Sequence, residues 1–289
     1  MYSKHIKIFN ELSKIFDKLG DDIRATAYHK LAKKLELKNL EGITEKSQKK
    51  IDEISRTGKL KLFEDLKKDK NVQDKLKLIE IIGVGPALAD KMIKKGIRTP
   101  KEFIKKYENP TQLQKMGIKY YGKIKKPTSR IFKEIVLCLY ETKNRNFTIA
   151  GSYRTGNTKP GDIDLIFVNE NITYVMNSLN DYCENVELVD WVKGESNFMG
   201  VIRVFNNFYR IDAKFTKPSH YASFLLYFGS GKYFSKYIRG IAREQGYKLN
   251  QYGLENLKTG KLKTFKSEKA IFKFLKVPFL TPRERVKYF

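Results

Sequence analysis

The sequence is poor in cysteine: Cys138 and Cys183 are the two in 289 residues. A disulfide-dense small domain is thereby excluded. One bridge between the two is possible, but reduced thiols are the expectation for this composition. No apolar run approaches the length of a membrane span, so a helical membrane protein is excluded as well. The opening MYSKHIKIFN lacks the small-residue cleavage region of a signal peptide, and an intracellular, non-secreted chain is expected. No long repeat or low-complexity linker interrupts the chain. Histidine is scarce, and His5, His29 and His220 are too scattered to suggest a site. Acidic residues are also few, 32 against 58 Lys plus Arg, for a net charge of +26. A field of that sign attracts polyanions, nucleic acid first and acidic membrane surfaces second.

What is present is enough to fold. Hydrophobic residues make up 41% and aromatics 13%, and the length allows more than one core. Residues 1 to about 140 read as helices, with Ile6, Phe9, Leu12, Ile15, Phe16 and Leu19 at helical spacing. The character then changes. Segments 147–151, 162–168, 186–192, 199–205 and 208–215 are short and rich in β-branched and aromatic residues, hence strands. Asn206-Asn207 reads as the tight turn of a hairpin. Helices are expected near 219–228 and 231–245, a β-like segment over 247–265, and a last helix capped by Ser267. The fold class is therefore α+β.

The strongest chemical signal is GSYRTGNTKPGDIDLIF at 151–167. Gly151-Ser152 follows a strand and precedes a helical turn, a junction that presents backbone N–H groups to phosphate. Eleven residues past Gly151 stands Asp162-Ile163-Asp164. On a strand the two acids share a face while Ile163 packs on the other. Paired carboxylates repel unless cations neutralise them, and they suit Mg²⁺ shared with substrate phosphates. In FYRIDAKF, alternation puts Phe208, Arg210, Asp212 and Lys214 on one face, so Asp212 supplies a third acid if its strand lies beside the first.

The helical part has its own motif. Residues 79–97, IEIIGVGPALADKMIKKGI, read as a helix-hairpin-helix, with Gly83 and Gly85 in the turn and Pro86 opening the second helix. Free N–H groups there, and Lys91 one turn on, can receive a DNA phosphate without reading sequence. An earlier copy at 37–54 is degraded: Gly42 remains, but Thr44 replaces the second glycine.

The Gly-Ser…Gly-Asp-x-Asp pattern resembles the nucleotidyltransferase superfamily. From about residue 20 to the C-terminus the chain resembles the family X DNA polymerases, in the layout of their beta-type members. Phe198–Val201 (FMGV), Arg210-Ile211-Asp212, Tyr227-Phe228, and Pro282 with Arg285 carry that likeness. The resemblance implies four regions: 1–62 a lyase-like helical domain, 63–140 a helix-hairpin-helix domain, 141–217 a nucleotidyltransferase palm with a mixed sheet, and 218–289 a small α+β thumb. It implies two Mg²⁺ or Mn²⁺ ions on Asp162, Asp164 and Asp212, with Asp212 helping to activate the primer 3′-hydroxyl. Gly151, Ser152, Arg154 and Gly161 would contact the triphosphate, and Tyr227 and Phe228 would line the sugar pocket. Lys46, Arg210 and Arg239 would join Gly83, Gly85 and Lys91 on DNA. Lys50 matches the Schiff-base lysine of the lyase, with Lys46 and Lys49 crowding it toward the neutral amine. Backbone carbonyls of Lys38, Leu40 and Ile43, and of Ile79, Ile81 and Val84, would hold Na⁺ or K⁺.

The chain departs from the family at Thr155, where a second arginine is usual, and at Lys49, Lys232 and Ser235. Lys159 is a candidate replacement for the lost phosphate contact. The resulting expectation is a monomeric polymerase that fills short gaps in base-excision repair, acting on gapped or nicked DNA and deoxynucleoside triphosphates. Its rivals are a template-independent terminal transferase, a nucleotidyltransferase acting on RNA, and a non-catalytic DNA-end binder. Recruitment of partners through a BRCT-like or PHP-like extension is not expected. Lys-, Ile- and Asn-rich usage suggests an AT-rich genome such as that of a virus, and a nuclear or a viral cytoplasmic repair site is expected.

Overall fold

A computed structural model describes residues 2–144, 146–181 and 183–289. The chain forms two compact units that divide between Tyr121 and Gly122. In the first, α1 (Ser3–Lys18), α2 (Asp22–Glu36), α3 (Glu45–Thr57) and α4 (Lys61–Lys68) close around one core. The helical spacing of the opening segment is realised: Phe9, Leu12 and Phe16 are buried and pack with Tyr28 and Leu35. Asp21 starts α2 by accepting the Arg24 N–H at 2.8 Å, and Gly58, at φ +70°, ends α3 in the left-handed conformation. A second core holds α5 (Lys70–Ile79), α6 (Pro86–Lys94), α7 (Pro100–Lys106) and α8 (Gln112–Lys119), through Leu78, Ile81, Met92 and Phe103. Thr99 and Thr111 open α7 and α8 with capping boxes to Glu102 and Gln114.

The second unit begins with α9 (Ser129–Glu141), then β1 (Phe147–Ile149), α10 (Gly151–Arg154), β2 (Ile163–Val168) and α11 (Ile172–Asp181). The strands β3 (Val186–Lys193), β4 (Asn197–Val204) and β5 (Asn207–Thr216) complete a sheet ordered β1-β2-β5-β4-β3. Only β2 and β5 are parallel within it; the other neighbours are antiparallel. One face is buried under α9 and α11, where Ile163, Leu165, Phe167, Ile211 and Ala213 meet Phe132 and Leu139. After the sheet come α12 (Tyr221–Phe228), α13 (Lys232–Glu244), a small sheet of β6 (Tyr247–Leu249), β7 (Leu254–Asn256) and β8 (Leu262–Lys263), then α14 (Glu268–Phe274) and α15 (Pro282–Tyr288). Ser267 caps α14 as expected, accepting the Ala270 N–H at 3.2 Å. The mixed sheet and helical start bear out the α+β class.

The second unit begins before the sheet because α9 gives Ile131, Phe132, Ile135 and Leu139 to the core of the large sheet. Two expectations change. The β4–β5 turn is Phe205-Asn206, one residue earlier than read, with Val204 opposite Asn207. Phe205 accepts φ +52° there while its ring packs on the core and under the Arg130 guanidinium, 4.9 Å away. Cys138 and Cys183, expected to be reduced, form a disulfide with a Cα–Cα separation of 5.6 Å. It ties α9 to the segment that follows α11 and closes a loop of 45 residues. Among the described residues, no helix is long and apolar enough to cross a membrane.

A loop of that length predicts a stabilisation of about 2–4 kcal/mol. Reductant should therefore lower the melting temperature of the oxidised chain by about 4–16 °C, at roughly 2–4 °C per kcal/mol for a unit of this size. Cys138→Ser should melt at the reduced value and become insensitive to reductant. Two free thiols in the unreduced, denatured chain would contradict the bridge.

Candidate active site

The parallel pairing of β2 with β5 sets Asp164 directly opposite Asp212 in the register. Because side chains alternate, both acids leave the buried face that Ile163, Leu165, Ile211 and Ala213 occupy. Asp162 stands one residue before β2, on the same side as Asp164. The Asp212 and Asp162 side chains are only 16% and 19% exposed, so three negative charges crowd a half-buried place. Burial, then the charges of Asp162 and Asp212, push the Asp164 carboxyl up to about 7, against the pull of Lys214 and Arg210.

Cations of the chain itself answer part of that charge. Arg210 pairs with Asp162, and Lys214 Nζ lies 2.6 Å from Asp212 Oδ1. That second contact supplies charge without an aligned hydrogen bond, since Asp212 Oδ1 is buried and has no hydrogen-bond donor. With Asp162 turned to Arg210, no three acidic, histidine or cysteine side chains among the described residues stand together as a finished metal cage. The chemistry still fits a divalent ion. Two carboxylates lie abreast, one keeps an unsatisfied buried oxygen, and another is driven toward protonation by its neighbours.

Gly151 opens α10 at φ +56°, beside the Asp164 side chain. A Cβ there would lie 1.8 Å from Asp164 Oδ2, so glycine is required by the carboxylate itself. The Ala150 N–H donates to the Asp164 carbonyl at 2.9 Å, which pins this corner to β2. Ser152 uses its carbonyl to receive the Thr155 hydroxyl at 2.9 Å and the Asn157 N–H at 3.0 Å. Gly161 is exposed, with open space on its side-chain side.

Arg154 is placed differently from the expected phosphate contact. Its guanidinium donates to Glu268 at 2.7 Å and to the Gly229 carbonyl at 3.0 Å. Glu268 also receives Arg285 at 2.7 Å, and the fully buried Arg285 reaches Ser230 Oγ at 2.8 Å. Burial pulls the Arg285 pKa down, while Glu268 holds it up. This Arg154–Glu268–Arg285 triad ties α10 to α14 and α15, and Gly229 leaves room for Arg154, whose Cδ lies 2.8 Å from a would-be Cβ.

Phe228 stands at the site: the Lys214 ammonium lies 4.8 Å from its ring centre. Tyr227 meets Phe228 edge-on at 4.9 Å and has the Arg239 guanidinium 5.7 Å from its own ring. It lines a groove of about 810 Å³ together with Lys236, Arg239, Arg243, Tyr247 and Tyr252.

In the first unit, Gly83 has φ +85° and packs on Gln114, whose amide donates to the Gly83 carbonyl at 3.2 Å. Gly85 has open space beside it, Pro86 opens α6, and Lys91 is exposed. The Ile81 carbonyl already accepts the Val84 N–H at 3.0 Å, and Ile79 is the last residue of α5. In the degraded copy, Lys38 takes φ +56° and Leu40 is 45% exposed, while Ile43 packs against the core. The Lys34 ammonium donates to the Glu41 carbonyl inside that loop, so the protein supplies a cation of its own there. Lys50 Nζ donates to the Lys46 carbonyl at 3.2 Å, and Lys49 is neutralised by Glu45 at 2.6 Å.

A carboxyl raised to about 7 makes the folded chain bind more protons than the unfolded chain between pH 4 and 7. Stability is therefore lost as pH rises through that window. Without divalent ions, Asp164→Asn should melt above the parent at pH 8 by about 2–4 °C for each kcal/mol of relieved repulsion, and by less at pH 5. Equal melting curves at pH 8 would contradict the repulsion.

Residues 224–286 match the family described as DNA polymerase beta thumb. DNA polymerase lambda of Arabidopsis thaliana is 27% identical over an alignment that covers 96% of this chain and 61% of that protein. DNA polymerase lambda of Rattus norvegicus is 22% identical, covering 98% of the chain and 56% of the relative. The DNA polymerase/3′-5′ exonuclease PolX of Bacillus subtilis (strain 168) is 27% identical over 48% of the chain and 24% of its own length. The chain thus spans little more than half the length of the lambda relatives. The chain is similar to DNA polymerases of family X over nearly its whole length, and residues 224–286 match a thumb of the beta type.

Proposed function

We propose that the chain is a DNA-directed DNA polymerase that fills short gaps by two-metal nucleotidyl transfer. The observation that carries this reading is the Asp164–Asp212 pair on neighbouring parallel strands, with Asp162 one turn of the alternation away. Asp162 and Asp164 would hold both divalent ions and Asp212 the one nearer the primer. Bound there, the ions would neutralise charge on the attacking and leaving oxygens. The primer 3′-oxygen forms a bond to the α-phosphorus while the bond to pyrophosphate breaks, and the hydroxyl proton departs toward the Asp212 side. Loading the site requires Arg210 to release Asp162 and Lys214 to release Asp212.

Triphosphate contacts are assigned to Gly151, Ser152 and Gly161, with Lys159 on the same exposed loop. Arg154 serves instead to hold the Gly151–Arg154 turn against Glu268. Phe228 and Tyr227 support the sugar pocket, and Arg239, Arg210, Gly83, Gly85, Lys91 and Lys46 support DNA contact. Lys50 is the proposed Schiff-base nucleophile of a 5′-deoxyribose-phosphate lyase. A role in base-excision repair, a monomeric state and action in the nucleus or at a viral cytoplasmic repair site belong to the same proposal. Na⁺ or K⁺ at the second hairpin is part of it too.

Primer extension on a one-nucleotide gap, with and without the template strand, is the direct test. Templated incorporation should dominate, and equal incorporation in both would favour a terminal transferase. Asp212→Ala should lower the rate by about 10³-fold, the scale of losing several kcal/mol of charge stabilisation. Thr155→Arg should lower the Michaelis constant for the nucleotide by supplying a missing phosphate partner; an unchanged constant would refute that assignment. Borohydride trapping on an abasic flap should be lost in Lys50→Ala, and retained trapping would move the nucleophile elsewhere.

A further inference from the structure

The first unit carries a second basic feature, whose lining includes none of Lys46, Lys50 and the hairpin glycines. A groove of about 510 Å³ runs between α1 and α4, walled by Lys4, Lys7, Lys59 and Lys67. Its floor is apolar: Ile8 and Phe63 are there, 7% and 8% exposed. The acids at its rim are already committed, Glu11 to Lys14 at 3.0 Å and Glu64 to Lys67 at 3.6 Å. Lys67 is spent further, with its ammonium 3.9 Å from the centre of the Phe63 ring. Lys4, Lys7 and Lys59 are exposed, and no acid of the described residues pairs with them. The turn that presents Lys59 is fixed on both sides. The Lys59 N–H donates to Thr57 Oγ1 at 3.1 Å, and the Lys61 N–H donates to Glu53 at 2.6 Å. Gly58 has no side chain to obstruct Lys4, whose Nζ would lie 2.8 Å from a Cβ at that position.

Three uncommitted ammonium groups over a narrow floor suit a linear polyanion better than a compact one. The floor offers no exposed ring face for a base to stack on, so the match is to the backbone. We propose that this groove binds the phosphodiester backbone of single-stranded DNA, as a strand-holding surface additional to the hairpin. The proposal rests on the polymerase reading for the presence of a DNA strand, but binding can be measured without catalysis.

The test is fluorescence anisotropy of the full chain with a labelled oligothymidylate in EDTA, across a salt series. Removing three phosphate contacts from a single strand should make the log–log salt slope about 2 shallower for Lys4→Gln/Lys7→Gln/Lys59→Gln and weaken binding about tenfold. The matched triple Lys101→Gln/Lys105→Gln/Lys106→Gln on α7 removes equal charge and should change affinity less than about twofold. Lys4→Arg/Lys7→Arg/Lys59→Arg should bind like the parent. Equal weakening by both glutamine triples would leave only the overall charge and overturn the proposal. Loss of binding to anionic phospholipid vesicles with DNA affinity intact would overturn it in favour of a membrane. Gap extension at saturating DNA should be unchanged by the groove triple, so failure of the polymerase reading would show in the parent chain instead.

Discussion

Two carboxylates held abreast on neighbouring parallel strands set the terms for the rest of the second unit. Pairing Asp164 with Asp212 is electrostatically unfavourable, and partial burial makes it more so. The arrangement persists because the opposite face of β2 and β5 is firmly packed under α9 and α11. Ile163, Leu165, Ile211 and Ala213 fix the strands, and alternation then leaves the acids no other direction. The neighbours are shaped to fit. Gly151 gives up its side chain to the Asp164 carboxylate, while Arg210 and Lys214 lend charge that a divalent ion can replace.

A second constraint joins the corner of the site to the C-terminal helices α14 and α15. Glu268 accepts from Arg154 and Arg285 at once, and Arg285 is wholly buried among Phe234, Phe272 and Phe279. A buried guanidinium without that carboxylate would be an uncompensated charge, so the triad stands or falls as a unit. The turn that begins with Gly151 is thereby held by residues more than a hundred positions later, with 114 separating Arg154 from Glu268. This explains how a four-residue helical turn keeps a defined place beside the acids.

The sequence made the acid face readable because period-two alternation is a local property, and Arg210, Asp212 and Lys214 obey it in β5. The same holds for the helix-hairpin-helix, where glycine and proline act through their own backbones. What stayed hidden depends on long-range partners. Nothing near Arg154 announces Glu268, so the arginine read as a phosphate ligand. Nor does the local sequence announce that the space beside Gly151 is filled by the Asp164 carboxylate. The Cys138–Cys183 bridge followed from how α9 crosses the sheet, and composition alone argued for thiols. The one-residue slip of the hairpin turn arose because Phe205 gains core packing at a positive φ that asparagine would ordinarily take.

The account makes Asp162, Asp164 and Asp212 the seat of the reaction's metal ions, and one measurement addresses that most directly. Anomalous scattering from a Mn²⁺-soaked crystal of the chain with gapped DNA and a non-hydrolysable nucleotide should give two peaks. Both should touch Asp162 and Asp164, and only one should touch Asp212, with Arg210 and Lys214 displaced. Mn²⁺ bound away from these carboxylates, in crystals competent for extension, would contradict the account.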